Sequence, residues 1–201
     1  HNGAGKTTTI KSIVGINDIT SVDILIDGIS IKTHPTEAKK IIAYVPDNPD
    51  IYPSLTGLQY LKFIGEIFDV ETSELETLTK KYASLLELTE ALNSPISTYS
   101  HGMCQKLVLI SALIHSPKLL VLDEPFVGLD PKASFNLKNI MHKFVSPGGA
   151  IFFSTHVLDV AEKLCNKVAI IKNGEIIKSG TMQEIKQDKT LENVFLESAN
   201  E

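Results

Sequence analysis

The chain has 201 residues, 43% of them apolar and 21% charged, enough to bury one sizeable core. Its formal net charge is −5 and every basic residue is a lysine, with no arginine anywhere, which argues against binding a polyanion such as nucleic acid. Cys104 and Cys165 show neither metal-ligand spacing nor a disulfide framework, which points to a reducing compartment, and no stretch reaches the roughly 20 consecutive apolar residues of a membrane helix.

Gly3 to Gly5 form a glycine-rich turn that opens a helix over 6–14. A strand over 22–26 closes at Asp27-Gly28, and the β-branched run 41–45 reads as a second strand. From about Thr56 to Ile114 the period is helical. Leu58, Leu61 and Phe68 share one face of a first helix there, and Leu75, Leu78, Tyr82 and Leu85 share one face of the next, so both stripes are read as core. Tyr60, Phe63 and Ile67 add a second stripe to the first helix. The apolar face around Leu58, Tyr60, Leu61, Phe63 and Ile64 is therefore expected to be divided between core and a partner's helix. Continuous apolar strands follow at 119–122, 150–154 and 168–171, then the turn Asn173-Gly174, a strand over 175–178 and a helix near 181–187. Such strands alternating with helices predict an α/β fold around a parallel sheet buried on both faces, with the helical stretch inserted into it.

Two segments carry chemistry. His1-Asn2-Gly3-Ala4-Gly5-Lys6-Thr7-Thr8 matches a phosphate-binding loop except for its leading glycine. Gly3 and Gly5 let successive N–H groups face one anion, and the following helix presents its positive end to it. Lys6 adds a full charge for β- and γ-phosphates, and the Thr7 hydroxyl is a ligand for magnesium. The plain alternative is a glycine-rich helix entry with an incidental lysine. The second segment, Leu119 to Glu124, is a buried strand ending in two carboxylates at the edge where parallel sheets bind ligands. Asp123 suits magnesium and Glu124 suits polarising a water, and strand alternation turns the two to opposite sides. A solvated acidic strand end is the alternative here.

Three more segments follow a fixed order. Tyr99-Ser100-His101-Gly102-Met103 with Gln105 and Lys106 is similar to a signature motif, Gly128-Leu129-Asp130 to a D-loop, and Ser154-Thr155-His156 to a switch-histidine segment. With the two preceding motifs, the chain resembles an ATP-binding cassette (ABC) ATPase over nearly its whole length. The resemblance implies a P-loop NTPase (RecA-like) core at 1–46 and 115–201, with a helical subdomain at 47–114 that holds the Q-loop region and the signature. It implies ATP and Mg2+, with Asn2, Gly3, Ala4, Gly5, Lys6, Thr7, Thr8 and Asp47 at the nucleotide and Thr7, Asp123 and Asp47 at the metal. Glu124 and His156 take the catalytic roles, and Asp130 couples two composite sites. Two cassettes, identical or different, pair head to tail, so that Ser100, His101, Gly102 and Met103 reach the ATP of the partner.

Function and location follow from the same resemblance. With no membrane helix of its own, the chain is expected to sit peripherally on the cytoplasmic side of the cell membrane, bound to a transmembrane permease subunit. The stretches 99–106 and 124–131 and the aspartate at 47, where the family usually has glutamine, are similar to ABC-2 type bacterial exporters. That points to export. Aspartate accepts but does not donate while ionised, which puts the water-positioning part of that role in question, and Asp47 is expected to face phosphate and magnesium. A soluble cassette acting apart from transport and a hydrolysis-impaired nucleotide-binding regulator are the competing readings. Asp130 before Pro131 is also a good helix cap, His156 an ordinary strand-end hydrogen-bonder, and His115 a residue for a nearby carbonyl. Cys104, in the first turn of the signature helix, is either an activated thiol or a small buried residue. The family also has core strands and an adenine-stacking aromatic ahead of the phosphate loop. The sequence is therefore expected to lack the N-terminal strands of the core, to leave the adenine side open, and to be unstable by itself.

Overall fold

The computed structural model describes residues 3–19 and 21–200. In chain order, α1 (Lys6–Ile13) leads to β1 (Leu25–Ile26), β2 (Ile29–Ser30), α2 (Pro35–Lys40) and β3 (Ile42–Val45), after which come α3 (Gly57–Ile67), α4 (Thr72–Leu85) and α5 (His101–Leu113). β4 (Leu119–Asp123), α6 (Pro131–Val145), β5 (Ala150–Ser154), α7 (Leu158–Leu164), β6 (Lys167–Lys172), β7 (Glu175–Thr181), α8 (Met182–Lys186) and α9 (Leu191–Asn200) complete the chain.

The run 107–113 has no polar stripe, and a helix apolar all round belongs at the centre of a fold. Every residue of α5 from Leu107 to Leu113 is buried, and Ser111 satisfies its hydroxyl on the Val108 carbonyl at 2.8 Å. One apolar cluster joins α3, α4, α5 and α6 to Ala43, Val45, Leu120 and Leu122 on one face of the sheet. A second cluster packs Ile10 and Val14 of α1, with Ile26, Ile31 and Ala38, against Ile42 and Val121 on the other face. The sheet is parallel, in the order β3-β4-β5, and its central strand β4 is covered on both sides.

Two sequence-predicted strands lie elsewhere. β1 and β6 do not join the parallel sheet among the described residues; each folds back on its successor as an antiparallel hairpin. The cause is in the turns. Asp27-Gly28 and Asn173-Gly174 both adopt positive φ, at 50° and 79° and at 52° and 84°, and two such residues reverse a chain tightly enough to pair adjacent strands. The regular part of the first strand is also shorter than 22–26, covering Leu25 and Ile26 alone.

The helical stripes need two corrections. Leu85 is 38% exposed, while Leu86 at the α4 C-cap is fully buried, because the chain leaves the helix there through Glu87 at φ 56°. On α3, capped reciprocally by Thr56 and Gln59, Tyr60 is buried with Leu61, so the outward apolar surface is Phe63 and Ile67, joined by Tyr52 edge-on to Phe63 at 5.7 Å. Phe68 stacks on His115 at 3.8 Å, and His115 donates from Nε2 to the Ile42 carbonyl at 3.3 Å, the carbonyl partner expected of it. Burial lowers the pKa of that imidazole. The Leu85 and Leu86 difference is measurable: Leu86→Ala should destabilise by about 2–5 kcal/mol in urea unfolding, and Leu85→Ala by less than half as much.

Candidate functional site

The carboxyl end of β4 gathers side chains from α1 and from the end of β5. Asp123 is 1% exposed, and a buried carboxylate is tolerated only with donors on it. Thr7 Oγ1 donates to Oδ2 at 2.7 Å, and the hydroxyl of Ser154, the β5 residue in register with Asp123, donates to Oδ1.

Glu124 leaves the strand in the left-handed region, at φ 49°. Strand alternation stops there, so the two carboxylates do not part to opposite sides: both address α1 and the end of β5. The Glu124 N–H donates to Ser154 Oγ at 3.1 Å and to the Ser154 carbonyl at 3.3 Å. Its Oε1 lies 3.7 Å from Lys6 Nζ. Its Oε2 accepts from His156 Nδ1 at 2.9 Å and from the His156 N–H at 3.3 Å. The lysine of the first motif, the second carboxylate of the next and the histidine of the last thus meet on one side chain that is 12% exposed.

The loop before α1 is shaped by glycine. Gly5 caps the helix at φ 106°, and a Cβ there would stand 3.2 Å from Gly174 Cα and 3.3 Å from Ile171 Cδ1. The Ala4 carbonyl accepts from the Gly174 N–H at 2.8 Å, so the β6–β7 turn supports the loop from beneath. Ala4 is buried, whereas Gly3 and Thr8 are exposed. Asn2 lies outside the described residues.

Asp47, just beyond β3, is exposed and forms no hydrogen bond or ion pair among the described residues. The like charge of Asp123 opposes its approach to that carboxylate. Both carboxylates act on Tyr44 of β3: burial first, then Asp123 and Asp47, pushes its hydroxyl up to about 12.

The signature residues form a second group. Ser100 caps α5 by accepting from the Met103 N–H at 3.2 Å, and Ser100 and His101 are exposed at the helix start. A Cβ on Gly102 would stand 2.6 Å from the Gly128 carbonyl oxygen, and one on Gly128 would stand 2.7 Å from the His101 ring, so this contact requires glycine on both sides. Lys106 Nζ bridges to Asp130 Oδ2 at 3.0 Å while Asp130 Oδ1 accepts from the Ala133 N–H at 2.8 Å. The capping bond and then Lys106 hold the Asp130 carboxyl below the usual range. Asp130 is therefore a helix cap and a tie to α5 together. Burial pushes the Cys104 thiol up, which makes it a small packed residue rather than an activated thiol.

The pattern of motifs left Ser154, Tyr44 and Gln105 unassigned. Ser154 was visible only as a neighbour of His156; Gln105, fully buried, donates from Nε2 to the Pro46 carbonyl at 3.4 Å, a contact that no spacing along the chain signals. The Thr7 hydroxyl and the Asp123 carboxylate are hard oxygen donors of the kind magnesium takes. Among the described residues no group of three or more His, Cys, Asp or Glu is arranged to hold an ion. The donor set therefore fits a cation that keeps its other ligands from phosphate and water.

Known proteins are similar to this chain in sequence and in fold. The family model described as ABC transporter matches residues 1–127. The ABC transporter ATP-binding protein YxlF of Bacillus subtilis is 38% identical over 200 residues, which is 100% of this chain and 65% of that protein. The linearmycin resistance ATP-binding protein LnrL of the same organism is 33% identical over 184 residues, 92% of this chain and 59% of that one. The chain thus spans about two thirds or less of these relatives' length. A solved structure of the ATP-binding subunit of an ABC transporter superposes with a TM-score of 0.94 at 31% identity, over 99% of this chain and 85% of the other.

Ser154→Ala should strip Asp123 of one donor and the Glu124 N–H of one acceptor. An unsatisfied buried group of that kind costs about 1–3 kcal/mol, to be read as a lower midpoint of chemical denaturation at unchanged slope.

Proposed function

Given that the chain belongs to the ABC transporter family, we propose that it binds and hydrolyses ATP on behalf of a membrane permease subunit, working outward as an exporter. The observation that carries this reading is the meeting of Lys6 and His156 on Glu124, next to the Thr7–Asp123 contact, at one sheet edge. Membership implies nucleotide binding; the residue roles follow the family resemblance, and the contacts around Glu124 and Asp123 support them.

Gly3 to Thr8 enclose the phosphates with backbone N–H groups and the positive end of α1. Lys6 exchanges Glu124 for phosphate, and charge-assisted contacts to the nucleotide replace the ion pair that is given up. Thr7 and Asp123 hold Mg2+, which when bound neutralises phosphate charge. Glu124, released by Lys6 but still oriented by His156, accepts the proton of the water whose oxygen bonds to the γ-phosphorus as the bond to the β–γ bridging oxygen breaks. The products are ADP and phosphate. His156 then donates toward the γ-phosphate side and registers its departure. The given sequence offers no arginine for this purpose, so among its residues Lys6, backbone N–H groups, helix ends and His156 provide the positive field at the phosphates.

The exposed starts of α5, with Ser100, His101, Gly102 and Met103, serve the ATP of a second cassette across a head-to-tail dimer. Asp130, tied to Lys106 of the same helix, transmits the state of one site to the other. This division corresponds to a core at 1–46 and 115–201 and a helical subdomain at 47–114. Tyr52, Phe63 and Ile67, 56%, 39% and 52% exposed, offer an outward apolar surface to a permease's cytoplasmic helix. No helix among the described residues is long and apolar enough to cross a membrane, which is consistent with a peripheral position on the cytoplasmic face. Outward transport is supported by the likeness of 99–106 and 124–131 to exporters and by the resistance named for one relative.

Two measurements test the reading. Glu124→Gln in the full-length protein should lower ATP hydrolysis by ~10²–10⁴-fold while ATP binding survives and a nucleotide-clamped dimer accumulates on gel filtration. Asp123→Asn should instead weaken magnesium-dependent binding, and hydrolysis by Glu124→Gln at the parental rate would transfer the base role to His156. A cysteine at Phe63 should crosslink to the copurified permease, and consistent failure to do so would return the α3 surface to a purely structural role.

A further inference from the structure

A hydroxyl without a partner stands beside the proposed site. Tyr44 is in register with Val121, two residues before Asp123 on the neighbouring strand, and its ring packs in the cluster beneath α1. Its Oη is buried and has no hydrogen-bond partner among the described residues. A native structure rarely leaves such a group unpaired without a reason.

Each oxygen of Asp123 already accepts one hydrogen bond, from Thr7 and from Ser154, and neither accepts from Tyr44. Asp47, three residues beyond Tyr44 at the end of the same strand, makes no hydrogen bond and is an acceptor only. The two groups are complementary: a buried donor lacking an acceptor, and an exposed acceptor lacking a donor. The like charge of Asp123 opposes an approach of Asp47, and a divalent cation on Thr7 and Asp123 would remove that obstacle.

We propose that Tyr44 is a positioning residue for Asp47, its hydroxyl receiving the carboxylate when Asp47 turns inward on binding of Mg2+ and ATP. The inference rests on the reading given under Proposed function. The pair then does jointly what neither does singly: Asp47 offers one oxygen toward the metal side while its other oxygen is fixed by Tyr44. The charged hydrogen bond forms only in the loaded state. In the unloaded state the same hydroxyl is a destabilising group, so the two states respond in opposite directions to its removal.

Tyr44→Phe keeps the ring and deletes the hydroxyl. In the full-length protein without ligand, its melting temperature should equal or exceed the parental value. ATP affinity in the presence of Mg2+ should fall roughly tenfold, the worth of one charge-assisted hydrogen bond, and affinity in excess chelator should not change. Asp47→Ala should produce a similar loss, and the double variant should be no weaker than Asp47→Ala alone. Additive losses, or parental Mg2+-dependent affinity in Tyr44→Phe, would overturn the pairing. So would a lowered melting temperature without ligand, which marks the hydroxyl as already satisfied. If the parental protein itself shows no Mg2+-dependent ATP binding, the functional reading fails first and the pairing with it.

Discussion

The geometry of this protein depends on one buried carboxylate. Asp123 can be buried at the end of an apolar strand only if its oxygens have donors, and the groups that supply them come from α1 and β5. That requirement sets the position of the first turn of α1 over the sheet edge. Once Thr7 is held there, Lys6 stands opposite the next residue of the strand, and once Ser154 is held there, His156 does too. The bend at Glu124 completes the arrangement by keeping two consecutive carboxylates on the same pair of elements. Four groups are thus brought to one place by a single satisfied charge.

A second group is organised by α5. Because this helix is buried on all sides over most of its length, its first turn is the part that reaches solvent, and it does so with Ser100 and His101. Adjacent residues further in connect it to two other segments: Gln105 to the Pro46 carbonyl beside Asp47, and Lys106 to Asp130. A displacement of the helix start therefore acts on both the segment after β3 and the segment before α6. The close approach of Gly102 and Gly128 makes that coupling short and stiff, since neither backbone has a side chain between it and the other.

The parts of this site that depend on spacing along the chain were legible in the sequence. Lys6 and Thr7 follow two glycines, Asp123 and Glu124 follow four apolar residues, and His156 ends a strand; each is a local pattern. Ser154 and Tyr44 were not, because a polar residue within a strand reads the same whether it meets water or a buried carboxylate, and only the register of β3, β4 and β5 distinguishes the two. The strands were legible too, but the partners of β1 and β6 were decided by two-residue turns whose hairpin geometry outweighed the βα alternation around them. Helix phase was correct in the middle of α4 and failed at its end, where Leu86 rather than Leu85 faces inward. Asp47 was singled out by motif position alone, and no contact of its own marks it among the described residues.

The contact between Lys6 and Glu124 gives the lysine a counter-ion from within the protein. A small anion arriving from solution competes with a tethered carboxylate, and by winning Lys6 it leaves Glu124 with one partner fewer in a site only 12% open to water. Chloride or free phosphate offers nothing in return for that loss. A ligand that brings its own cation and leaves room for a water beside Glu124 replaces both lost interactions at once. The internal ion pair therefore acts as a threshold against ordinary cellular anions, set by charge compensation within the protein rather than by the shape of the cleft.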